Sequence, residues 1–279
     1  MDLYSETQMV LNQYHLKANK RYGQNFLINQ DIVDEIIEKS EINENDVVIE
    51  IGPGLGTLTK ALAAVAKKVI AVELDENMVK ILKERPLGNN IEIIHDDILK
   101  VDLKSIIDAN ESVKVVANLP YYITTPIIMT LLENRYNLKS ITVMVQKEVG
   151  RRICSEPGSK EYGAITVSVK YYSEAKIIID VPKDNFLPAP EVDSCVIKLD
   201  IRKTPIVNLK DEKLFFEIIK NGFCQRRKTI LNSLTSNEIT KDKLKDILQV
   251  LSISEKLRAE DLSIYEFANI SNLVGGKDD

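Results

Sequence analysis

The chain has 279 residues, of which 44% are hydrophobic and 28% charged, enough for one large core or for two domains. A mean hydropathy of -0.12 and the lack of an apolar run of about twenty residues argue against a membrane span, and the polar first stretch lacks the apolar centre of a signal peptide. The net charge of -5 argues against a uniformly basic, nucleic-acid-coating surface, so the distribution of charge matters more than its sum.

That distribution is uneven. Lys17, Lys20 and Arg21 cluster near the start, Arg151 and Arg152 lie mid-chain, and Arg226, Arg227 and Lys228 adjoin later. Acids gather between Asp31 and Glu50 and again after Glu238. Such segregation permits a basic face. The cysteines Cys154, Cys195 and Cys224 are odd in number and far apart, which suits a reducing cytoplasm. His15 and His95 do not stand at metal-ligand spacing, so no metal is expected.

In chain order, residues 1–16 fit either a short amphipathic helix (Met9, Val10, Leu11, Tyr14) or a mobile arm. Tyr22-Gly23-Gln24-Asn25-Phe26-Leu27 reads as a loop. Ile32, Val33, Ile36 and Ile37 then recur at helical spacing behind a cap at Asn29 or Asp31. Val47 to Ile51 predicts a strand, Gly52-Pro53-Gly54-Leu55-Gly56 a tight turn, and Leu58, Leu62, Val65 and Ala66 the inner face of a helix. A second apolar run, Val69 to Leu74, carries Glu73 at its end and is followed by Asp75. This is a βαβ unit for a nucleotide-like ligand. Glycines let backbone amides approach the ligand, and the later carboxylate accepts from ribose hydroxyls.

Three ligands compete for such a turn. A phosphate-cradling loop would end in lysine and Ser/Thr, which are not so placed here. A dinucleotide would set its pyrophosphate near Glu50, and the third glycine is wrongly spaced for that fingerprint. S-adenosylmethionine carries a cationic sulfonium and ammonium and no phosphate, so it is the preferred reading.

Ile91, Ile93 and Ile94 predict a third strand, ending at Asp96-Asp97. Asp97 suits either an adenine amine or a helix cap. A fourth strand, from Val113, delivers Asn118-Leu119-Pro120-Tyr121 to the sheet edge, where open α/β sheets bind ligands. An amide beside an aromatic suits a flat, hydrogen-bonding base. Thr124 or Thr125 would cap the next helix, and Ile141 to Val145 predict a fifth strand, followed by a helix bearing Arg151 and Arg152. Ala164 to Tyr172 fits strand or helix; Ile177 to Val181 and Cys195 to Leu199 fit strands. Phe186 heads a loop stiffened by Pro188 and Pro190, a mount for a stacking ring or plain packing. After about residue 203 only helical periodicity remains, with Arg226, Arg227 and Lys228 opening its second helix and a frayed tail expected over 275–279. The predicted domains are therefore 1–202, with 1–20 as an arm, and 203–279.

Taken together, Gly23-Gln24-Asn25-Phe26-Leu27, Glu50-Ile51-Gly52-Pro53-Gly54-Leu55-Gly56, Asn118-Leu119-Pro120-Tyr121, Phe186-x-Pro188-x-Pro190-x-Val192-x-Ser194 and Arg226-Arg227-Lys228-Thr229 resemble the ribosomal RNA adenine N6-dimethyltransferase family. Its bacterial small-subunit branch is the nearer match; the large-subunit branch that confers antibiotic resistance, or an assembly factor whose catalysis is secondary, are the alternatives. The resemblance implies an α/β class I (Rossmann-like) methyltransferase sheet using S-adenosylmethionine, with a small C-terminal all-helical, RNA-binding domain. It also implies methylation of two adjacent adenosines near the 3′ end of 16S rRNA in the assembling small subunit. Asn25, Leu27, Gly52, Glu73, Asp97 and Asn118 would hold the cofactor. Asn118 and the Leu119 carbonyl would accept from the adenine amine, Tyr121 and Phe186 would sandwich the base, and Arg151, Arg152, Arg226, Arg227 and Lys228 would meet RNA. No feature demands a dimer, so a monomer is expected.

Overall fold

The structure, a computed structural model, describes residues 1–19, 22–236 and 239–276; Lys20 and Arg21 of the first basic cluster, and the last three residues of the expected tail, lie outside it. The first residues form a helix, α1 (Leu3–Gln13), because the Asp2 side chain accepts from the Ser5 amide at 2.8 Å and Thr7 and Val10 bury on one face. Then follow β1 (Phe26–Leu27), α2 (Gln30–Lys39), β2 (Val47–Ile51), α3 (Thr57–Val65), β3 (Lys68–Glu73), α4 (Glu76–Glu84), β4 (Ile91–His95), α5 (Leu103–Asp108) and β5 (Val113–Asn118). The chain continues through α6 (Thr124–Glu133), β6 (Leu138–Gln146), α7 (Lys147–Ile153), α8 (Ala164–Tyr172), β7 (Ser173–Val181), β8 (Phe186–Leu187) and β9 (Ser194–Ile201). Asn29 and Asp75 cap α2 and α4 by accepting amides two residues on, at 2.9 and 3.0 Å.

Seven strands form one sheet in the order β4-β3-β2-β5-β6-β9-β7. From β4 to β6 neighbours run parallel, and β9 returns antiparallel against β6. All five residues of β2 are buried, the pattern of a parallel strand covered on both faces. A separate two-stranded pair joins β1 to β8, with Phe26 opposite Leu187 and Leu27 opposite Phe186. Neither two-residue strand is visible in the sequence pattern.

One detail differs from expectation. Neither Thr124 nor Thr125 caps α6: the N-cap is Ile123, and the Thr124 hydroxyl instead donates to the Pro120 carbonyl at 3.0 Å. Ala164–Tyr172, whose pattern fits strand or helix, is helical.

The chain packs as two compact units, 1–150 with 175–201, and 151–174 with 202–279. One boundary near 203 was expected. Instead 151–174 join the C-terminal helices α9 (Glu212–Cys224), α10 (Ile230–Leu234), α11 (Lys241–Val250) and α12 (Ile264–Val274). The reason is apolar: Tyr162, Val167 and Tyr171 share a core with Phe215, Leu244 and Phe267. Tyr172 stacks on Phe216, with centroids 5.8 Å apart and an 8° interplanar angle. No described helix is long and apolar enough to cross a membrane.

Candidate active site

Strand order reverses between β2 and β5, since β2 leads outward through β3 and β4 while β5 leads the other way through β6. Ligands of open α/β sheets bind beyond the carboxyl ends of the strands at such a switch. A cavity lies there. Asn25, Leu27, Gly52, Glu73, Asp97, Asn118, Leu119 and Tyr121 all line it.

Its β2 side is made of backbone and buried acids. Gly52 has φ of 66°, and an added Cβ there would meet nothing within 4 Å, so the turn leaves open space on the cavity wall. Gly56, at φ of 84°, has no such room: a Cβ would lie 2.6 Å from Leu87 Cδ1. Glu73 is tied to this turn. One carboxylate oxygen accepts from the Gly54 amide at 3.0 Å, and the other from the Leu74 and Asp75 amides, both at 2.8 Å. A carboxylate has about four lone-pair sites, so one remains for a ligand hydroxyl. Burial raises the Glu73 pKa, and these three amides pull against that rise.

Glu50 is stranger. It is 2% exposed, lines the cavity, and its Oε2 has no hydrogen-bond partner among the described residues. Burial pushes its pKa up to about 8; the neighbouring Thr59 hydroxyl opposes the rise and the Glu73 charge adds to it. An unpartnered buried acid is costly unless a ligand supplies a donor or a positive charge.

Asp97 holds a turn rather than a helix start, its Oδ1 accepting from the Leu99 amide at 3.0 Å. Asn25 is fixed within its own loop, Nδ2 donating to the Gly23 carbonyl at 3.2 Å. Sequence reasoning missed Gln24, which accepts from the Asn19 amide and donates to Asp75 Oδ2, both at 2.8 Å. It thereby ties the entry loop to the start of α4.

The β5 side is made of side chains. Asn118 Nδ2 donates to the Asn25 main-chain carbonyl at 3.0 Å. A carbonyl accepts only, so this contact assigns the amide's orientation and leaves Oδ1 as an acceptor. The Leu119 amide donates to the Met144 carbonyl at 3.2 Å, and its side chain is buried. The Tyr121 hydroxyl shares a hydrogen bond with Ser194 Oγ at 2.7 Å, and burial raises its pKa.

Phe186 is where the structure corrects the sequence. It is 3% exposed, sits in an apolar cluster with Leu27, Val33 and Val181, and does not line the cavity. Pairing of β8 with β1 turns it into packing beneath the entry loop. The large exposed ring on the cavity wall is instead Tyr122, 57% exposed and lying 3.5 Å from where a Gly23 Cβ would stand. The signal for it was an aromatic immediately after Tyr121.

The basic residues divide. Arg151 and Arg152 are exposed on α7. Arg227 and Lys228 are exposed in the turn before α10, not inside that helix, whose N-cap is Thr229. Arg226 is engaged: its Nη2 donates to the Lys160 carbonyl at 2.6 Å and to Glu260 Oε2 at 3.1 Å. It braces the helical unit.

Comparison with known proteins agrees with this arrangement. Residues 15–275 match the Ribosomal RNA adenine dimethylase family. The chain is 48% identical to the Ribosomal RNA small subunit methyltransferase A of Clostridium botulinum (strain Kyoto / Type A2) over 269 residues, 96% of this chain and 98% of that protein. A dimethyladenosine transferase from Plasmodium falciparum superposes with a TM-score of 0.75 at 29% identity, covering 88% of this chain and 95% of that one. The 23S rRNA methyltransferase ErmE shares the fold, with a TM-score of 0.71 at 23% identity over 90% of this chain and 100% of that one. With an α/β sheet whose switch point holds the glycine turn and the Asn118 edge, and a match over nearly its whole length, the chain belongs to the ribosomal RNA adenine dimethylase family.

Proposed function

We propose that the protein transfers methyl groups from S-adenosylmethionine to the N6 amines of two adjacent adenosines in a hairpin loop near the 3′ end of 16S rRNA, on the assembling small subunit. The observation that carries this reading is the Asn118 amide, locked by the Asn25 carbonyl so that Oδ1 remains an acceptor beside the cavity.

The residues present fit the donor. The unpartnered Glu50 oxygen suits a cationic ligand, and the open wall over Gly52 suits one lying against backbone. Glu73 and Asp97 would accept from its ribose and adenine amine, with Asn25 and Leu27 closing the entry side. When bound, it supplies a methyl group on an already activated sulfonium.

An adenine amine is a poor nucleophile because its lone pair is delocalised into the ring. Asn118 Oδ1 and the Leu119 carbonyl accept its two N–H bonds, which pyramidalises nitrogen and frees the lone pair. The donor held by Asn25, Glu73 and Asp97 would supply its methyl group to this lone pair, and the proton that nitrogen then sheds would pass to water. The methyl group is already activated on sulfur, so no general base is demanded. Catalysis is positioning plus electrostatics. Tyr121 and Tyr122 offer flat faces to an unstacked base, each such contact contributing about 1–3 kcal/mol. Arg151, Arg152, Arg227 and Lys228 meet phosphates, and Arg226 holds the turn that presents its neighbours.

The test is transfer of labelled methyl from S-adenosylmethionine to unmethylated small subunits by the wild type and by Asn118→Ala. Label in N6,N6-dimethyladenosine, lost in the variant, is the expected result. Transfer to large-subunit RNA alone, or to neither RNA, overturns the reading.

A further inference from the structure

Helix α1 lies outside the residues matched to the family, which begin at 15. It nevertheless packs behind the glycine turn that forms one wall of the cofactor cavity. The link is Arg85, the residue that ends α4. Its Nη1 donates to the main-chain carbonyl of Leu55, inside the glycine turn, and its Nη2 pairs with Glu6 on α1. The Arg85 side chain is 16% exposed and that of Glu6 24%, so both ends of the link are largely withdrawn from water.

Further contacts support it. The Tyr14 hydroxyl donates to Glu84 at 2.9 Å. Val10 of α1 belongs to the apolar cluster of Phe26, Leu55, Met78 and Ile81. Phe26 in turn backs the turn closely, since a Cβ on Gly54 would lie 3.2 Å from its ring. Leu55 is therefore held from two directions, by Arg85 at its carbonyl and by α1 and Phe26 at its side chain.

The physical consequence is specific. The glycine turn commits the Gly52 and Gly54 amides to the Val72 carbonyl and to Glu73, and the Leu55 carbonyl within it needs a donor of its own. Arg85 donates to the Leu55 carbonyl, and the next amide, Gly56, closes back on the Pro53 carbonyl at 3.0 Å. Without the guanidinium, a buried carbonyl loses its partner in a segment whose three positive-φ glycines are free to adopt other conformations.

We propose that α1 and Arg85 form a clamp that pre-organises the glycine turn, making Arg85 and Glu6 positioning residues for S-adenosylmethionine rather than for RNA. The proposal rests on the cofactor reading given above. Part of the cofactor affinity of this chain is then set by a helix that precedes the residues matched to the family model.

The test uses the full chain. S-adenosylhomocysteine binding is measured by calorimetry for wild type, Arg85→Gln, Arg85→Lys, Glu6→Gln and the double variant Glu6→Gln/Arg85→Gln, alongside steady-state kinetics on small subunits. Arg85→Gln is expected to weaken binding and raise the cofactor KM by roughly tenfold, the scale of one charge-assisted hydrogen bond. Its kcat at saturating cofactor and its KM for RNA should stay within about twofold of wild type, the split expected when ground-state binding alone is lost. Glu6→Gln should give a smaller loss, Arg85→Lys a partial rescue, and the double variant less than the sum, because the two act through one link. Unchanged affinity in Arg85→Gln overturns the clamp. So does a parallel fall in kcat and RNA affinity, which marks general destabilisation. If wild type itself fails to bind S-adenosylhomocysteine, the cofactor reading falls and takes the clamp with it. Binding in wild type with no change in the variants overturns the clamp alone.

Discussion

β2 and β5 are hydrogen-bonded neighbours whose carboxyl ends face the same cavity, yet they furnish it by opposite means. At the end of β2 the wall is main chain, opened by glycines and backed by the acids Glu50 and Glu73. At the end of β5 it is side chains: an oriented amide and two consecutive tyrosines. A wall of main chain holds a ligand common to every turnover by fixed shape. A wall of side chains can distinguish one base from another and tolerate an amine that gains methyl groups. Substitutions at the two ends should therefore fail in different ways.

The largest effect belongs to the β5 end. Asn118→Ala should lower kcat about 10²–10³-fold, the scale of losing a positioned transition-state partner, while S-adenosylhomocysteine binding measured by calorimetry changes much less. The β2 end should show the reverse. Gly52→Ala should carry the same positive-φ backbone strain as Gly56→Ala but no clash, and should in addition weaken cofactor binding, because its Cβ meets nothing in the protein and stands on the cavity wall. Gly56→Ala should lose about 1–3 kcal/mol of stability in denaturant unfolding from backbone strain, and more from contact with Leu87. Equal cofactor and stability losses at both glycines would erase the distinction.

A pH experiment sharpens it further. The folded-state pKa of Glu50, about 8, lies above its ordinary value of 4.5. Between those values the folded chain keeps a proton the unfolded chain has lost, so this group's stabilising contribution is full below about 4.5 and disappears as pH rises through 8. Thermal unfolding should show Glu50→Gln gaining on wild type as pH rises across that window and levelling above it. A cationic ligand would favour the ionised form, so cofactor affinity of wild type should tighten over the same range and that of Glu50→Gln should not. Smallest of all, Tyr121→Phe removes the hydroxyl bond to Ser194 but keeps the ring. It should cost about 1 kcal/mol or less, read as a modest rise in RNA KM, whereas Tyr122→Ala should raise that KM more by removing an exposed flat face.

The parallel half of the sheet was legible because its strands are buried runs separated by glycine or capped turns, as at Val47 to Gly56. The resemblance implied Asn25, Glu73, Asp97 and Asn118 as cofactor residues, and all four line one cavity. What escaped notice depended on contacts distant in sequence. The two-residue strands β1 and β8 carry no periodicity, so the burial of Phe186 followed from its pairing with Leu27, far away in sequence. Residues 151–174 could not be assigned to the helical unit from local pattern, since contacts distant in sequence, chiefly those of Tyr162, Val167, Tyr171 and Tyr172, place them there. Arg226 reads in sequence like its neighbours Arg227 and Lys228, and its bonds to the Lys160 and Tyr162 carbonyls and to Glu260 set it apart.

The interruption of the first unit by 151–174 also sets an order of events at the ribosome. β9 is the antiparallel neighbour that covers β6, and β8 is the partner that fastens the entry loop. Neither exists until synthesis has passed residue 187, long after the glycine turn and the Asn118 edge have emerged. At about 5–20 residues per second, several seconds separate the making of the cavity's residues from the closing of its frame. During that interval β6 presents an unpaired apolar edge, a template for pairing with other chains. On the nascent chain, the stretch synthesised between α7 and β9 is the one during which that edge stays open.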